Sequence, residues 1–309
     1  MRILFAGTPA VSATVLEGLV HGGHEVVAVL TREDAPFGRK GVSTPSPVSE
    51  KAEELKIPVI KANKIDFETL SAIKHYDADL AIVVAFGIIL KSNALSIIPK
   101  GWFNLHFSIL PKWRGAAPVQ RAIQAGEKIT GITMFKINEG MDTGPILGTL
   151  QTEIQPEETA GELLNRLGIL GVSLLGEQLP RIYSGVYELE EQVGEPSLAP
   201  KLTRAEARIN FDDSASVIDC QVRAMNPEPM AWCFNGEATL RVIRARASSL
   251  KPTEIGLKDV GSVGLINNQV LVCCGSNTVI ELIEVQPASK GVMKAVDWFN
   301  GQQKLEVLT

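Results

Sequence analysis

Arg2-Ile3-Leu4-Phe5-Ala6-Gly7-Thr8-Pro9 runs through four consecutive apolar residues after Arg2 and ends on a glycine, a threonine and a proline. An apolar run that short, with no alternation, is the pattern of a strand covered on both faces in a parallel sheet. Behind it, residues 11–21 have helical spacing and residues 26–30 repeat the apolar run. Strand, helix, strand is the unit from which an α/β sheet is wound. Residues 80–85, 101–106 and 131–137 predict three more strands, and residues 47–55 and 116–125 two more helices. Gly7-Thr8-Pro9 has neither G-x-G-x-x-G nor Walker spacing. It reads as a tight strand-to-helix connection with Pro9 in the first helical turn, and gives no support to NAD chemistry.

Residues 160–179 predict one more amphipathic helix, with Thr159 near its start and Pro180 at its end. Residues 38–47 carry two glycines and two prolines, the composition of a loop, here expected as a mobile lid at the sheet's carboxyl edge. Residues 185–200 turn polar and proline-bearing, as a linker does. Beyond Lys201 a short helix at 215–224 precedes five β-type runs, at 231–234, 239–245, 261–266, 269–273 and 279–285. Runs of that length joined by Asn-Gly and Asn-Asn turns predict a small β-barrel or sandwich. The expected organisation is a first domain over 1–185, a linker over 186–204 and a second domain over 205–309.

A chain of 309 residues with 45% apolar and 21% charged residues has ample core for two domains. Its net charge of -5 exerts no global pull on a polyanion, so such a partner must meet local basic patches. All four cysteines fall in the last third without the spacing of a disulfide framework or a metal knuckle, so reduced thiols are expected. Met1 leads directly into a strand, and the strongly apolar stretch at 80–90 is too short to cross a bilayer as a helix. A cytoplasmic protein with no membrane partner is the expectation.

Chemistry concentrates in Asn104-Leu105-His106-Phe107-Ser108-Ile109-Leu110-Pro111-Lys112-Trp113-Arg114-Gly115. Asn104 and His106 are two apart on an expected strand and project to one face, at the strand end where wound sheets bind ligands. An asparagine amide there donates to a developing oxyanion, and the imidazole either accepts an amine's proton when neutral or assists the oxyanion when protonated. Asp142, in Gly140-Met141-Asp142-Thr143-Gly144, would orient and charge-stabilise His106, the glycines letting the turn approach a strand end. These residue types suit acyl transfer to an amine. They equally suit a hydrogen-bonded edge pair and a turn-forming aspartate. His21, His24 and His75 fit solvated helix ends and loops. Basic residues cluster at Arg39 and Lys40, at Lys112, Arg114 and Arg121, and at Arg241, Arg244 and Arg246, where they contact phosphates or simply solvate a face.

The run from Asn104 through Arg114-Gly115-Ala116-Ala117-Pro118-Val119-Gln120-Arg121 closely resembles the signature of methionyl-tRNA formyltransferases. Gly7-Thr8-Pro9, Ser46-Pro47-Val48, Ala85-Phe86-Gly87-Ile88-Ile89-Leu90, residues 126–133, Gly140 to Gly144, Ala199-Pro200-Lys201-Leu202 and Val222-Arg223-Ala224-Met225-Asn226-Pro227 continue the likeness along nearly the whole chain. The resemblance implies an α/β, Rossmann-like formyltransferase domain with a parallel-type sheet, then a small β-barrel (OB-like) domain that helps hold tRNA. It implies transfer of the formyl group of 10-formyltetrahydrofolate to the α-amino group of methionyl-initiator tRNA in the bacterial cytoplasm, by a monomer, without metal or NAD. Asn104, His106 and Asp142 match the family's catalytic residues. Ser108, Ile109, Leu110 and Pro111 match a folate-contacting segment, with Phe86, Gly87, Ile88 and Leu90 as a second wall. Arg39 and Lys40, in a loop over residues 34–44, match an insertion that reaches the acceptor arm. Lys112, Arg114, Arg244 and Arg246 are further expected tRNA contacts.

Three positions depart from the family pattern: Val11 for an aromatic, Phe107 for a small residue, and Met230 for a glycine after Asn-Pro-x-Pro. Rival readings are a formyltransferase acting on a sugar-nucleotide amine or glycinamide ribonucleotide, a formyltetrahydrofolate hydrolase, and a non-enzymatic RNA-binding module. The likeness beyond Lys201 opposes the first, and the buried polar set opposes the last.

Overall fold

The computed structural model describes residues 1–37, 41–302 and 307–309. They form two compact units: Met1–Pro118 with Ile129–Glu153 and Leu164–Pro200, and Val119–Lys128 with Ile154–Leu163 and Lys201–Thr309.

A seven-stranded sheet organises the first unit. Arg2–Gly7 lies third from one edge, flanked by Glu25–Thr31 then Val59–Lys61 on that side, and by Leu80–Val84 then Trp102–His106 on the other. These five strands are parallel. Ile129–Lys136 follows as an antiparallel neighbour of Trp102–His106, and Ile146–Glu153 closes that edge, also antiparallel. The sequence predicts the first of these two as one more parallel member and the second not at all. The outermost strand alternates buried and exposed positions, so it carries no continuous apolar run to announce it.

From Arg2–Gly7 the chain winds first one way and then returns to pair Leu80–Val84 on the opposite side, placing a topological switch between those two strands. Ligands bind wound sheets at the carboxyl edge of such a switch. Thr8 Oγ1 donates to the Phe86 carbonyl across it at 3.2 Å, and Ser12 Oγ donates to the Val84 carbonyl at 2.6 Å. Of the loop expected at residues 38–47, residues 38–40 lie outside the described residues, Val42–Thr44 pairs antiparallel with Ala35–Phe37, and Ser46 caps the helix Pro47–Glu54.

The helix expected to stop at Pro180 runs on, as Ala160–Ser184. An interior proline costs about 3 kcal/mol. Leu174, Leu175, Leu179 and Ile182 are fully buried on both sides of it, so the apolar stripe carries the helix past the break. Val11 is buried against this helix, where a Cβ on Gly168 would meet it at 2.8 Å, and Phe107 is also buried in the interior.

The second unit has a six-stranded antiparallel sheet over a core that includes Ile218, Val222, Met225, Val242, Val272, Ile280 and Trp298. The strands are Trp232–Asn235, Ala238–Ser248, Val263–Ile266, Gln269–Cys274, Thr278–Pro287 and Met293–Lys294. Leu308 and Thr309 close it into a barrel. Phe234 and Thr309 exchange backbone hydrogen bonds at one edge, while Leu308 N–H donates to the Gly261 carbonyl beside the other. All four cysteines are free thiols. Met230 sits at φ +73°, in the left-handed region that favours glycine.

Candidate active site

His106 ends its strand 4% exposed, with Asn104 half-buried two residues before it. Its Nε2 lies 2.8 Å from the Trp113 carbonyl, so that nitrogen carries the proton and donates. Nδ1 then presents a lone pair, and Asp142 Oδ2 stands 3.6 Å from it. Burial pushes the imidazole below its ordinary pKa, and the nearby Asp142 charge and the Trp113 carbonyl only partly oppose it. The ring is therefore neutral at neutral pH, the form a proton acceptor needs. Among the described residues the Asn104 side chain makes no hydrogen bond, which leaves its amide available to a bound group.

Asp142 lies 36 residues beyond His106 in sequence and reaches it through a turn in which Asp142 itself takes φ +52°. Gly144 is required by space, since a Cβ there would stand 1.8 Å from the Lys136 carbonyl. Gly115 N–H donates to Asp142 Oδ2 at 2.8 Å. Gly115 is at φ +123°, and a Cβ on it would lie 2.9 Å from the Ala199 carbonyl. The pairing of Arg114–Gly115 with Leu198–Ala199 sets this approach.

Ser108 is fully buried, its hydroxyl donating to the Lys112 carbonyl and its own carbonyl accepting from Thr133. Leu110 and Pro111 are buried and Ile109 is half-buried. On the adjoining strand's exit, Ala85 takes φ +46° and turns the chain. Phe86 and Leu90 then enter the core, while Gly87 is exposed and Ile88 half-exposed. Of the two expected folate walls, Ile88 and Ile109 are the apolar side chains left partly accessible, while Phe86, Leu90, Ser108, Leu110 and Pro111 are buried.

The expected tRNA contacts are scattered. Arg39 and Lys40 lie outside the described residues. Lys112 is exposed. Arg114 is half-buried, and its guanidinium donates twice to Gln192. Arg244 pairs with Glu162 and, at 3.8 Å, Glu284; Arg246 pairs with Glu157 at 3.3 Å and Glu281 at 2.8 Å. Another basic group stands on the same unit, in which Arg204 and Arg208, not singled out by the sequence, join Arg241. Arg204 lies 5.7 Å from the Trp232 ring centre, and Arg208 lies 5.9 Å from that ring and 5.3 Å from Phe234. Arg241 is the cross-strand neighbour of Trp232. Among the described residues none of these three arginines forms an ion pair. The signal available beforehand was the alternation of Trp232 and Phe234 around buried Cys233, which puts both rings on the outer face.

Among the described residues no group of three or more His, Cys, Asp or Glu side chains is arranged to hold a metal ion, and no helix is long and apolar enough to cross a membrane.

The family described as Formyl transferase matches residues 1–179, and that described as Formyl transferase, C-terminal domain, matches residues 201–303. The methionyl-tRNA formyltransferase of Paenarthrobacter aurescens is 47% identical over 304 residues, covering 97% of each chain. That of Arthrobacter sp. is 46% identical over 310 residues, covering 99% of this chain and 98% of the other. Two solved structures share the fold at low identity. An N-formyltransferase from Helicobacter canadensis, in complex with folinic acid and dTDP-3-aminofucose, has a TM-score of 0.66 at 19% identity, over 91% of this chain and 98% of that one. A methionyl-tRNA formyltransferase from Clostridium thermocellum has a TM-score of 0.56 at 15%, over 94% and 100%. With both family matches along its length and nearly half its residues shared with full-length relatives, the chain belongs to the formyl transferase family, among its methionyl-tRNA formyltransferases.

Proposed function

We propose that this protein moves the formyl group of 10-formyltetrahydrofolate onto the α-amino group of methionyl-initiator tRNA, with Asn104, His106 and Asp142 as the catalytic set. The observation that carries the assignment is the neutral, buried His106, with Asp142 beside it and the free amide of Asn104 two residues away. The site's chemistry fits the donor. Ile88 and Ile109 offer apolar edges to a flat ring system, Gly87 is exposed beside Ile88, and Asn104 offers a donor to a carbonyl oxygen. The folate supplies a formyl carbon already activated by its nitrogen.

His106 Nδ1 takes the proton that the methionyl nitrogen releases as it bonds to the formyl carbon, and returns it to the departing folate nitrogen. Asn104 donates to the formyl oxygen as negative charge develops there. Asp142 stabilises the imidazolium during the step, and Trp113 holds the ring through Nε2–H. We further read residues 1–185 as the catalytic domain, 186–204 as the connecting segment and 205–309 as the tRNA-binding domain, in a monomer of the bacterial cytoplasm. Arg39 and Lys40 remain the expected acceptor-arm contacts, and Lys112 a further expected tRNA contact.

A nucleotide-sugar amine is the competing acceptor, since an N-formyltransferase in complex with dTDP-3-aminofucose shares the fold. Identity over the full length favours the aminoacyl-tRNA. Supplying the formyl donor with charged initiator tRNA, with a dTDP-amino sugar, or with neither acceptor separates the possibilities. Formylmethionyl-tRNA is expected; formylation of the sugar alone, or donor hydrolysis alone, overturns the reading.

A further inference from the structure

The segment between the last long helix and Lys201 reads as a linker, yet it is hydrogen-bonded to the catalytic turn at several points. Glu190 and Ile146 exchange backbone hydrogen bonds, at 2.7 and 2.9 Å. Ser197 Oγ accepts from Trp113 N–H at 2.9 Å, and the Ser197 carbonyl accepts from Arg114 N–H at 2.8 Å. The Ala199 carbonyl accepts from Ala117 N–H at 3.0 Å. Between these, the half-buried Gln192 uses its whole side-chain amide. Nε2 donates to the carbonyls of Asp142 and Gly144, each at 2.8 Å, and Oε1 accepts from Arg114 Nε at 3.1 Å and Nη2 at 2.6 Å.

We propose that Gln192 is a positioning residue for formyl transfer, fixing the Asp142 carboxylate against His106 by stapling the 142–144 turn to Arg114. The proposal rests on the catalytic role read above for His106 and Asp142. The amide has one workable orientation: flipped, its NH2 would face a guanidinium and its oxygen two carbonyls. It grips both ends of a turn whose first residue sits at φ +52°, a conformation a non-glycine residue holds only when its surroundings impose it. The circuit closes on itself. Arg114, held by Gln192, precedes Gly115, whose N–H fixes Asp142 Oδ2. Carboxylate and main chain of Asp142 are thus set by two contacts that share one neighbour. No single-chain pattern marks this role, because the partners lie 48 to 50 and 78 residues away.

Two substitutions separate positioning from bulk structure. Gln192→Met keeps the length and loses every hydrogen bond; Gln192→Glu keeps an acceptor for Arg114 but loses both donors. Each should lower kcat about tenfold to a hundredfold, the usual penalty for a misplaced catalytic group, with KM for both substrates little changed. Asp142 is the charge acting on the His106 ring, so loosening it in Gln192→Met should also lower the imidazole's titration midpoint, read by NMR on the substrate-free protein. In an Asp142→Asn background Gln192→Met should add almost nothing to either loss. A full additional loss in that background, or an unmoved His106 midpoint in a folded Gln192→Met, overturns the proposal. The NMR arm needs no acceptor, so it stands even where the assignment of methionyl-tRNA fails.

Discussion

His106 Nδ1 and Asp142 Oδ2 stand 3.6 Å apart, close enough for charge to act and too far for a hydrogen bond. A proton arriving on Nδ1 would create an ion pair that the resting state lacks. In the proposed mechanism that gain falls in the step in which the imidazole becomes charged.

That relationship fixes a pH dependence. Burial lowers the His106 pKa from 6.5, so the proton acceptor is lost only as pH falls through a value below 6.5. The acid limb of kcat should lie there. Asp142→Asn removes the charge that raises the ring's pKa, and should move the limb further down while lowering kcat. The stability linkage runs the same way: between 6.5 and the lowered value the unfolded chain binds the extra proton, so stability is lost as pH is lowered across that window. A limb that rises in Asp142→Asn would reverse the assigned sign.

Asn104→Ala should reduce kcat by about 10²–10³, as loss of a single oxyanion donor does. Its unpartnered amide means that substitution strands no protein group, so the melting temperature should hardly move. An equal fall in stability would mean the amide is a structural contact.

The wound sheet and the barrel were legible because both announce themselves locally. Residues 3–6, 26–30 and 80–85 are apolar runs, and the turns at Asn235-Gly236 and Asn267-Asn268 fall between strands as the residue types require. Val59–Lys61 and Ile146–Glu153 were not legible, one because it is three residues long and the other because it is an edge strand with polar alternation. Asn104 and His106 share a face by spacing alone, but Gln192 lies in text whose composition says linker. Its function comes from contacts tens of residues away. The charges of Arg244 and Arg246 are visible in the sequence, whereas the carboxylates that neutralise them arrive from another helix and strand.

Gly115→Ala tests whether the backbone donor to Asp142 matters. A Cβ there meets the Ala199 carbonyl at 2.9 Å and sits at a φ that side chains rarely adopt, so the strand pairing must shift. The expected result is a large fall in kcat with the His106 titration displaced downward, as in Asp142→Asn. Turnover at the wild-type level, in a folded protein, would show that Asp142 needs no N–H from Gly115.

Charge compensation on the second unit predicts which arginines meet RNA. Arg204, Arg208 and Arg241 are exposed, free of ion pairs among the described residues, and gathered around Trp232 and Phe234, a surface suited to phosphates and to base stacking. Arg244 and Arg246 must first give up carboxylates, so their net attraction for a phosphate is weaker. Arg204→Gln with Arg208→Gln should raise KM for methionyl-tRNA and flatten the slope of log kcat/KM against log salt by roughly 0.7–0.9 for each phosphate no longer neutralised, with kcat retained. Arg244→Gln with Arg246→Gln should change KM less and cost some stability instead. Replacing Arg39 and Lys40 should likewise raise the tRNA requirement and weaken its salt dependence, leaving folate affinity alone. The reverse ranking of the two second-unit pairs would place the RNA over the Arg244 end of the sheet, and a KM unchanged in both would remove this face from the interaction.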